Sequence, residues 1–536
     1  MKVIAYITRV VFLLAVAGSL VPVIYAQDSS TQSSSPQTSS TPSTTSPQDS
    51  TQPDSSQQSS SQADSSQLGS GAPPAATAPP QTNVENPPLS GLDQPQAEPA
   101  YGGRSYLVPG LQFSEAADTN PSGSTRHNTT VTEVSRGLGS LDLQKIWKRS
   151  QLGLDYIAGG VYYVGPRFSS LGRTYQVHTF AGDERILWRT GQMAIRDSFN
   201  YLPEGTFGFN SFGGAGSFGS ALGGGLSGAG AGSGVGGGLT GGVPAGNLGG
   251  GSFGSIGFQP RIGNASIVDI VQQLSPRSSV TVAGAYDFTH FLTSASVQFP
   301  VINSQQASGQ FGFNHIISRK DQIGVLYAYQ EVHFPLAGTG TVKVNVWNAL
   351  YGHRITGKLN LVLAGGPQLV AVTNPPGSPA FKAFGPTTRK VAGNGSVTFH
   401  YSVTARTNVQ MLYQHFVTPG SGFFAGANTD AARLSLARIL GRRWTATADG
   451  GYSHSSALQS SSNVGLNSNA YQFWYSGASL RRQLGQHFGA FISYQFNDFG
   501  AGRCSTLAPS SVCGQSVQQH VGVFGIDWHP SPIRLD

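Results

Sequence analysis

Charge is scarce in this 536-residue chain. Asp, Glu, Lys and Arg make up 11% of it, against roughly a quarter in ordinary soluble domains. Hydrophobic residues reach only 38%. A chain poor in both leaves part of itself unfolded or exposes small, uncharged polar residues somewhere unusual. Methionine (3 residues) and cysteine (2) are rare, while glycine reaches 71. After the first 26 residues no apolar run approaches the ~20 residues of a transmembrane helix, and no long segment has helical spacing. No GxSxG stands in a strand-to-helix elbow, the match at Gly250–Gly254 falling within a Gly/Ser tract, and no HExxH metal spacing occurs, which argues against an enzyme built on either. His333, His400, His415 and His487 read as polar wall or rim residues. The net charge is +7, yet the basic residues form no stripe, so nucleic acid is not an expected partner. No cofactor or metal site is expected.

What is present begins with a leader. Lys2 and Arg9 precede the apolar stretch VVFLLAVAGSLVPVI, and IYA ends at Ala26. Residues 1–26 therefore read as a cleaved secretory signal. Residues 27–100 are built from Ser, Thr, Gln, Pro and Ala, with no aromatic between Tyr25 and Tyr101. Such a segment buries too little area to offset ordering entropy and is expected to be disordered: a spacer, or a tether for a periplasmic partner. A second biased tract, rich in Gly, Ser and Ala, runs from Pro203 to Phe258. Cys504 and Cys513 lie close together in a secreted chain, which predicts a disulfide closing a short loop.

The rest alternates with period two. In Ser396–Arg406, Val397, Phe399, Tyr401 and Val403 oppose Ser396, Thr398, His400, Ser402 and Thr404. Val280–His290, Trp444–Ser453 and Gln486–Phe496 read the same way. In Thr341–Tyr351, Val342, Val344, Val346 and Leu350 take the apolar side and Lys343 the polar one. Successive strand residues point to opposite faces, so each segment is a two-faced strand. Tight polar turns fall at 148–151, 188–192, 275–279, 318–322, 355–358, 404–407, 440–443 and 483–486. Longer loops fall between them, the longest at 202–262. Their regular interleaving predicts about 18 strands, with 16 as the alternative, and both chain ends on the short-turn side.

Strands of about 10–14 residues exceed the soluble average and suit a tilted membrane crossing. Aromatics end many apolar faces: Tyr156, Tyr162, Phe288, Tyr329, Phe416, Tyr452, Tyr494 and Phe496. The leader, the hairpin series from about 104 to 528 and the loop asymmetry resemble bacterial outer-membrane β-barrels of porin size, an architectural likeness without a diagnostic motif. That resemblance implies a closed, up-and-down antiparallel transmembrane barrel over residues 101–536, all-β and preceded by a disordered segment. It implies a Gram-negative outer-membrane location, contact with outer-membrane lipid and passive diffusion of small polar solutes. The alternatives are a barrel component of an exopolysaccharide or secretion export system or a surface anchor, and less readily a barrel-embedded lipid hydrolase. By analogy with porins the 202–262 loop either folds inward as a constriction or stays outside. The alternation phases Asp142, Asp155, Arg196, Asp287, Lys343, Arg433 and Asp449 toward the lumen, where they would set ion preference or form a stiffening network. The overall positive charge points to mild anion preference or to anionic lipid. Such barrels commonly end in an aromatic residue. Here Trp528 is followed by HPSPIRLD, and Pro109 falls awkwardly in the first strand. No wall is marked as a subunit interface.

Overall fold

The computed structural model describes residues 88–90, 105–120, 131–165, 174–202, 261–292, 303–335, 340–377, 381–382, 385–418, 426–458, 470–501 and 516–535. Among them the strands are β1 (Tyr106–Asp118), β2 (Thr132–Ile146), β3 (Ser150–Val164), β4 (Thr174–Trp188), β5 (Gly191–Leu202), β6 (Arg261–Ser275), β7 (Ser278–Phe291), β8 (Ser304–Ile316) and β9 (Asp321–His333). The second half follows as β10 (Thr341–Thr356), β11 (Leu359–Thr373), β12 (Thr387–Thr404), β13 (Thr407–Thr418), β14 (Ala427–Ile439), β15 (Trp444–Ala457), β16 (Ala470–Gln483), β17 (Phe488–Ala501) and β18 (Ser516–Trp528). A two-residue β19 (Ile533–Arg534) ends the series.

Each strand pairs antiparallel with the next, and β18 returns to pair with β1 over Leu111–Asp118. The sheet is therefore a closed, up-and-down 18-strand barrel with no free edge, so its backbone hydrogen bonds are met within the protein. All eight short turns fall at the sites expected from sequence, for example Gly357–Lys358 between β10 and β11 and Ala405–Arg406 between β12 and β13. No helix among the described residues is long and apolar enough to cross a membrane, which says nothing of a β-barrel.

The awkward proline is explained at the closure. β1 pairs with β19 at Tyr106 and Leu107, and with β18 only from Leu111 onward. Pro109 sits at the level where that ladder is interrupted by residues 529–532, which include Pro530 and Pro532. A missing N–H costs little where the partner strand is broken. The tail is then tied down: Leu535 N–H donates to the Ser105 carbonyl at 3.2 Å, and Lys145 Nζ donates to the Leu535 carbonyl.

Alternation decides which residues face outward. Phe113, Val325 and Ile492 are 65%, 58% and 57% exposed, while their inward neighbours Gln112, Leu326 and Ser493 are buried. In the Ser396–Thr404 part of β12, Thr398 is buried and Tyr401 exposed, as the alternation predicts. Tyr and Trp rings stand at both ends of the outer wall, while Phe311, Tyr327 and Trp347 lie at mid-strand. Toward the short turns, Trp444 carries the Arg482 guanidinium 5.1 Å from its ring centre, and Tyr351 donates to Asp321 at 2.9 Å. Toward the long loops, Tyr452 and Trp474 pack at 4.4 Å, and Tyr413 donates to Asp430 at 2.7 Å. An apolar band between two belts of amphipathic rings is the outer wall of a membrane-spanning barrel.

One strand departs from its expected phase. In β10 it is Val342, Val344, Val346 and Leu350 that turn inward and are buried, and Trp347 and Tyr351 that turn outward. The inward valines meet inward Leu326, Ala328 and Val332 of β9 and Val362, Val370 and Val372 of β11 in one apolar cluster. Both faces of β10 are apolar, so local alternation left the sign of the face undetermined; the neighbouring strands set it. Phe416, expected at an outer belt, is likewise buried beside Leu412 and Ala431.

Candidate functional site: the inner wall of the barrel

The inner wall is amide-rich. Gln112, Gln144, Gln310, Asn348, Gln368, Gln414 and Gln495 all point inward and are buried. Each keeps a side-chain oxygen without a hydrogen-bond partner among the described residues. The wall is not uniformly polar. One apolar patch centres on β9–β11, and a second joins Val134, Leu138, Val161, Tyr163 and Val177 on β2–β4 to Val521 and Val523 on β18. Aromatics also turn inward: Tyr471 stacks on Phe499 at 5.4 Å, and Phe473 lies 5.8 Å from Tyr475.

Register places the sequence-predicted charges as follows. Asp142 and Asp155 face each other directly across β2 and β3, both buried. Asp142 is 3.5 Å from the Tyr106 hydroxyl, and Asp155 retains an unpartnered oxygen. Arg196 Nε binds Asp183 at 2.7 Å, and its other nitrogen lies 3.7 Å from Asp269. Arg433 donates from two nitrogens to one Asp449 oxygen, at 2.8 and 2.6 Å. Asp287 is buried with one oxygen unpartnered. Lys343 does not belong with them: it shares the outward face of β10 with Trp347 and pairs with Glu331 on β9 at 3.1 Å. It lies three residues into β10 from the long-loop end, where a charge reaches water past the lipid boundary.

Sequence reading missed further inward charges, among them Asp118 and Arg136, both buried. Arg481 binds Asp527 at 2.8 Å, Asp183 holds Arg185 at 3.3 Å as well as Arg196, and Asp269 completes the Arg196 cluster. Each lies on an inward-phase position, so strand phase is the signal that finds them. The inner wall thus carries three sites where guanidinium and carboxylate neutralise one another. Among the described residues no group of three potential metal ligands occurs. Cys504 and Cys513, most of the 202–262 loop, residues 1–26, and residues 27–100 apart from 88–90 lie outside the described residues.

No protein-family model and no curated protein matches this chain. Solved structures do. Pseudomonas aeruginosa OpdK with vanillate aligns over 80% of this chain and 99% of its own at 10% identity, with a TM-score of 0.37. Acinetobacter baumannii OccAB4 aligns over 81% and 100% at 8% identity, with a TM-score of 0.38. The Fiu ferric-catecholate import receptor of E. coli K12 aligns over 78% and 81% at 9% identity, with a TM-score of 0.35.

Proposed function

We propose that this chain is an outer-membrane channel for passive diffusion of small polar solutes. The leader directs the chain out of the cytoplasm, and an apolar outer wall between aromatic belts holds the barrel in lipid. The observation that carries the reading is the inner wall itself. Its inward residues are rich in Gln and Asn, and its guanidiniums at Arg196, Arg433 and Arg481 are each bound to a carboxylate. Such a wall offers polar groups to a small solute, with Asp142, Asp155 and Asp287 as further inward carboxylates outside those pairs. Many of the basic residues behind the +7 net charge, among them Arg189, Arg277, Lys320, Lys358 and Arg406, sit in the short turns, where they favour anionic headgroups rather than select solutes.

Purified full-length protein in planar bilayers tests this. Discrete conductance steps are expected. A folded barrel that stays electrically silent overturns the proposal.

A further inference from the structure

The Ser/Thr/Gln/Pro-rich extension has three described residues, 88–90, and two of them are buried inside the barrel. Every polar group of Ser90 is taken up by side chains of the inner wall. Its N–H donates to Asn314 Oδ1 at 2.8 Å. Its carbonyl accepts from Thr281 Oγ1 at 3.1 Å and from Gln310 Nε2 at 3.2 Å. Its hydroxyl meets Thr281 Oγ1 at 2.6 Å and Asn314 Nδ2 at 2.5 Å. Leu89 is buried in the apolar patch of β9–β11, alongside Leu350 and Val346.

The wall lacks side chains where these two residues lie. A Cβ on Gly352 would stand 2.8 Å from Leu89 Cδ2, and a Cβ on Gly312 would overlap Ser90 itself. Glycine permits this close approach of another backbone. Thr281, Gln310 and Asn314 belong to adjacent strands β7 and β8, and Gly352 to β10; Gln310 lies at mid-strand and the others in the short-turn half of the barrel. Main-chain capture by three side chains, a leucine contact and two missing Cβ atoms together make a peptide-shaped recess. The seat is within the extension's reach: residues 91–104 separate Ser90 from Ser105, and ~15 residues extend up to ~50 Å.

We propose that the inner wall around Gly312 and Gly352 is a binding seat for an extended peptide, occupied by the chain's own Leu89–Ser90. Leu89 and Ser90 are thereby held against the inner wall as a tethered occupant. Any peptide offering a free N–H, a carbonyl, a hydroxyl and a preceding aliphatic side chain would compete for the same recess.

The test uses the full chain with Cys504 and Cys513 changed to Ser and Pro88→Cys as reporter, in proteoliposomes, with a membrane-impermeant maleimide. Pro88 is half-buried beside the seat. Gly312→Val fills the recess, Leu89→Asp spoils the occupant without touching the barrel, and Gly309→Val is the control. Gly309 lies on β8 at an outward position where a Cβ meets only the Ala283 carbonyl, at 3.8 Å. Labelling about tenfold faster in both Gly312→Val and Leu89→Asp, and unchanged in Gly309→Val, is expected, the change produced by roughly 1.4 kcal/mol of lost seating. Equal labelling in the parent and in Leu89→Asp overturns the seat. Conductance of the same proteins separates the two proposals. Faster labelling in a barrel that never conducts upholds the seat and counts against the channel, whereas conduction with unaltered labelling does the reverse.

Discussion

An arginine placed at Phe311 measures the outer wall directly. Phe311 is 52% exposed and lies at the middle of β8, flanked across the sheet by outward Val282 and Tyr327. It is four residues from His315, near the short-turn end. At ~3.3 Å per residue and a tilt of about 40°, that is roughly 10 Å along the barrel axis. Half of a ~25 Å apolar band is close to that figure, so Phe311 lies near the midplane. A charged guanidinium there costs ~2–4 kcal/mol, or about 30- to 700-fold in the folding equilibrium at ~1.4 kcal/mol per tenfold. Ser308, on the same strand, faces inward between Ala285 and Gln330. Ser308→Arg turns its charge away from lipid, so the depth-dependent penalty of the lipid face does not apply and the cost is smaller. The assay is urea-dependent folding into lipid vesicles, read by the heat-modifiable shift of the folded barrel on a gel. Equal costs at the two positions, or a larger cost at Ser308, would refute the assignment of faces.

Other consequences follow from the same wall. Arg433→Gln frees the Asp449 carboxylate and moves the reversal potential toward cation preference, while Asp449→Asn moves it toward anion preference; no movement in either variant removes this pair from the conduction path. Gly489→Leu drives a side chain between Arg481 and Asp527, since a Cβ there would stand 2.7 Å from the Asp527 carboxylate and 3.0 Å from the Arg481 guanidinium. Losing a shielded pair costs on the order of 3 kcal/mol, so the gel-shift temperature should fall well below that of the parent, and by more than in Gly485→Leu, where a Cβ meets nothing. We also propose that Cys504 and Cys513 are joined: intact protein should take up no maleimide until reduced and then take up two, and labelling of the unreduced protein would show the bond to be absent.

The sequence carried the strand count, the eight turns and the phase of most strands, because a lipid-facing wall writes a two-residue rhythm into the chain. The rhythm fixes alternation but not its sign. Where one face is plainly polar, as in Ser396–Arg406, composition supplies the sign. Where valines alternate with Trp347, Ala349 and Tyr351 it does not, and Lys343 was set inward with no local cue to correct it. The deciding contacts come from β9 and β11, which sequence alone does not bring alongside. The ion pairs of the inner wall were half legible. Arg433 and Asp449 were recognisable as inward residues, but their pairing depends on the register of β14 with β15. Leu89 and Ser90 were hidden altogether: a leucine and a serine in a Ser- and Pro-rich segment carry no periodic signal, and their partners lie about 190 to 260 positions further along the chain.

The central claim is that one face of every strand meets lipid and the other meets water. Single spin labels placed in turn from Phe488 to Phe496 on β17, in reconstituted vesicles, test it most directly, because collision with oxygen reports lipid and collision with a water-soluble nickel chelate reports water. Oxygen access should peak at 488, 490, 492, 494 and 496, nickel access at 489, 491, 493 and 495, and the two should run in opposite phase. Access that rises and falls together along the strand, or shows no two-residue period, would contradict the account.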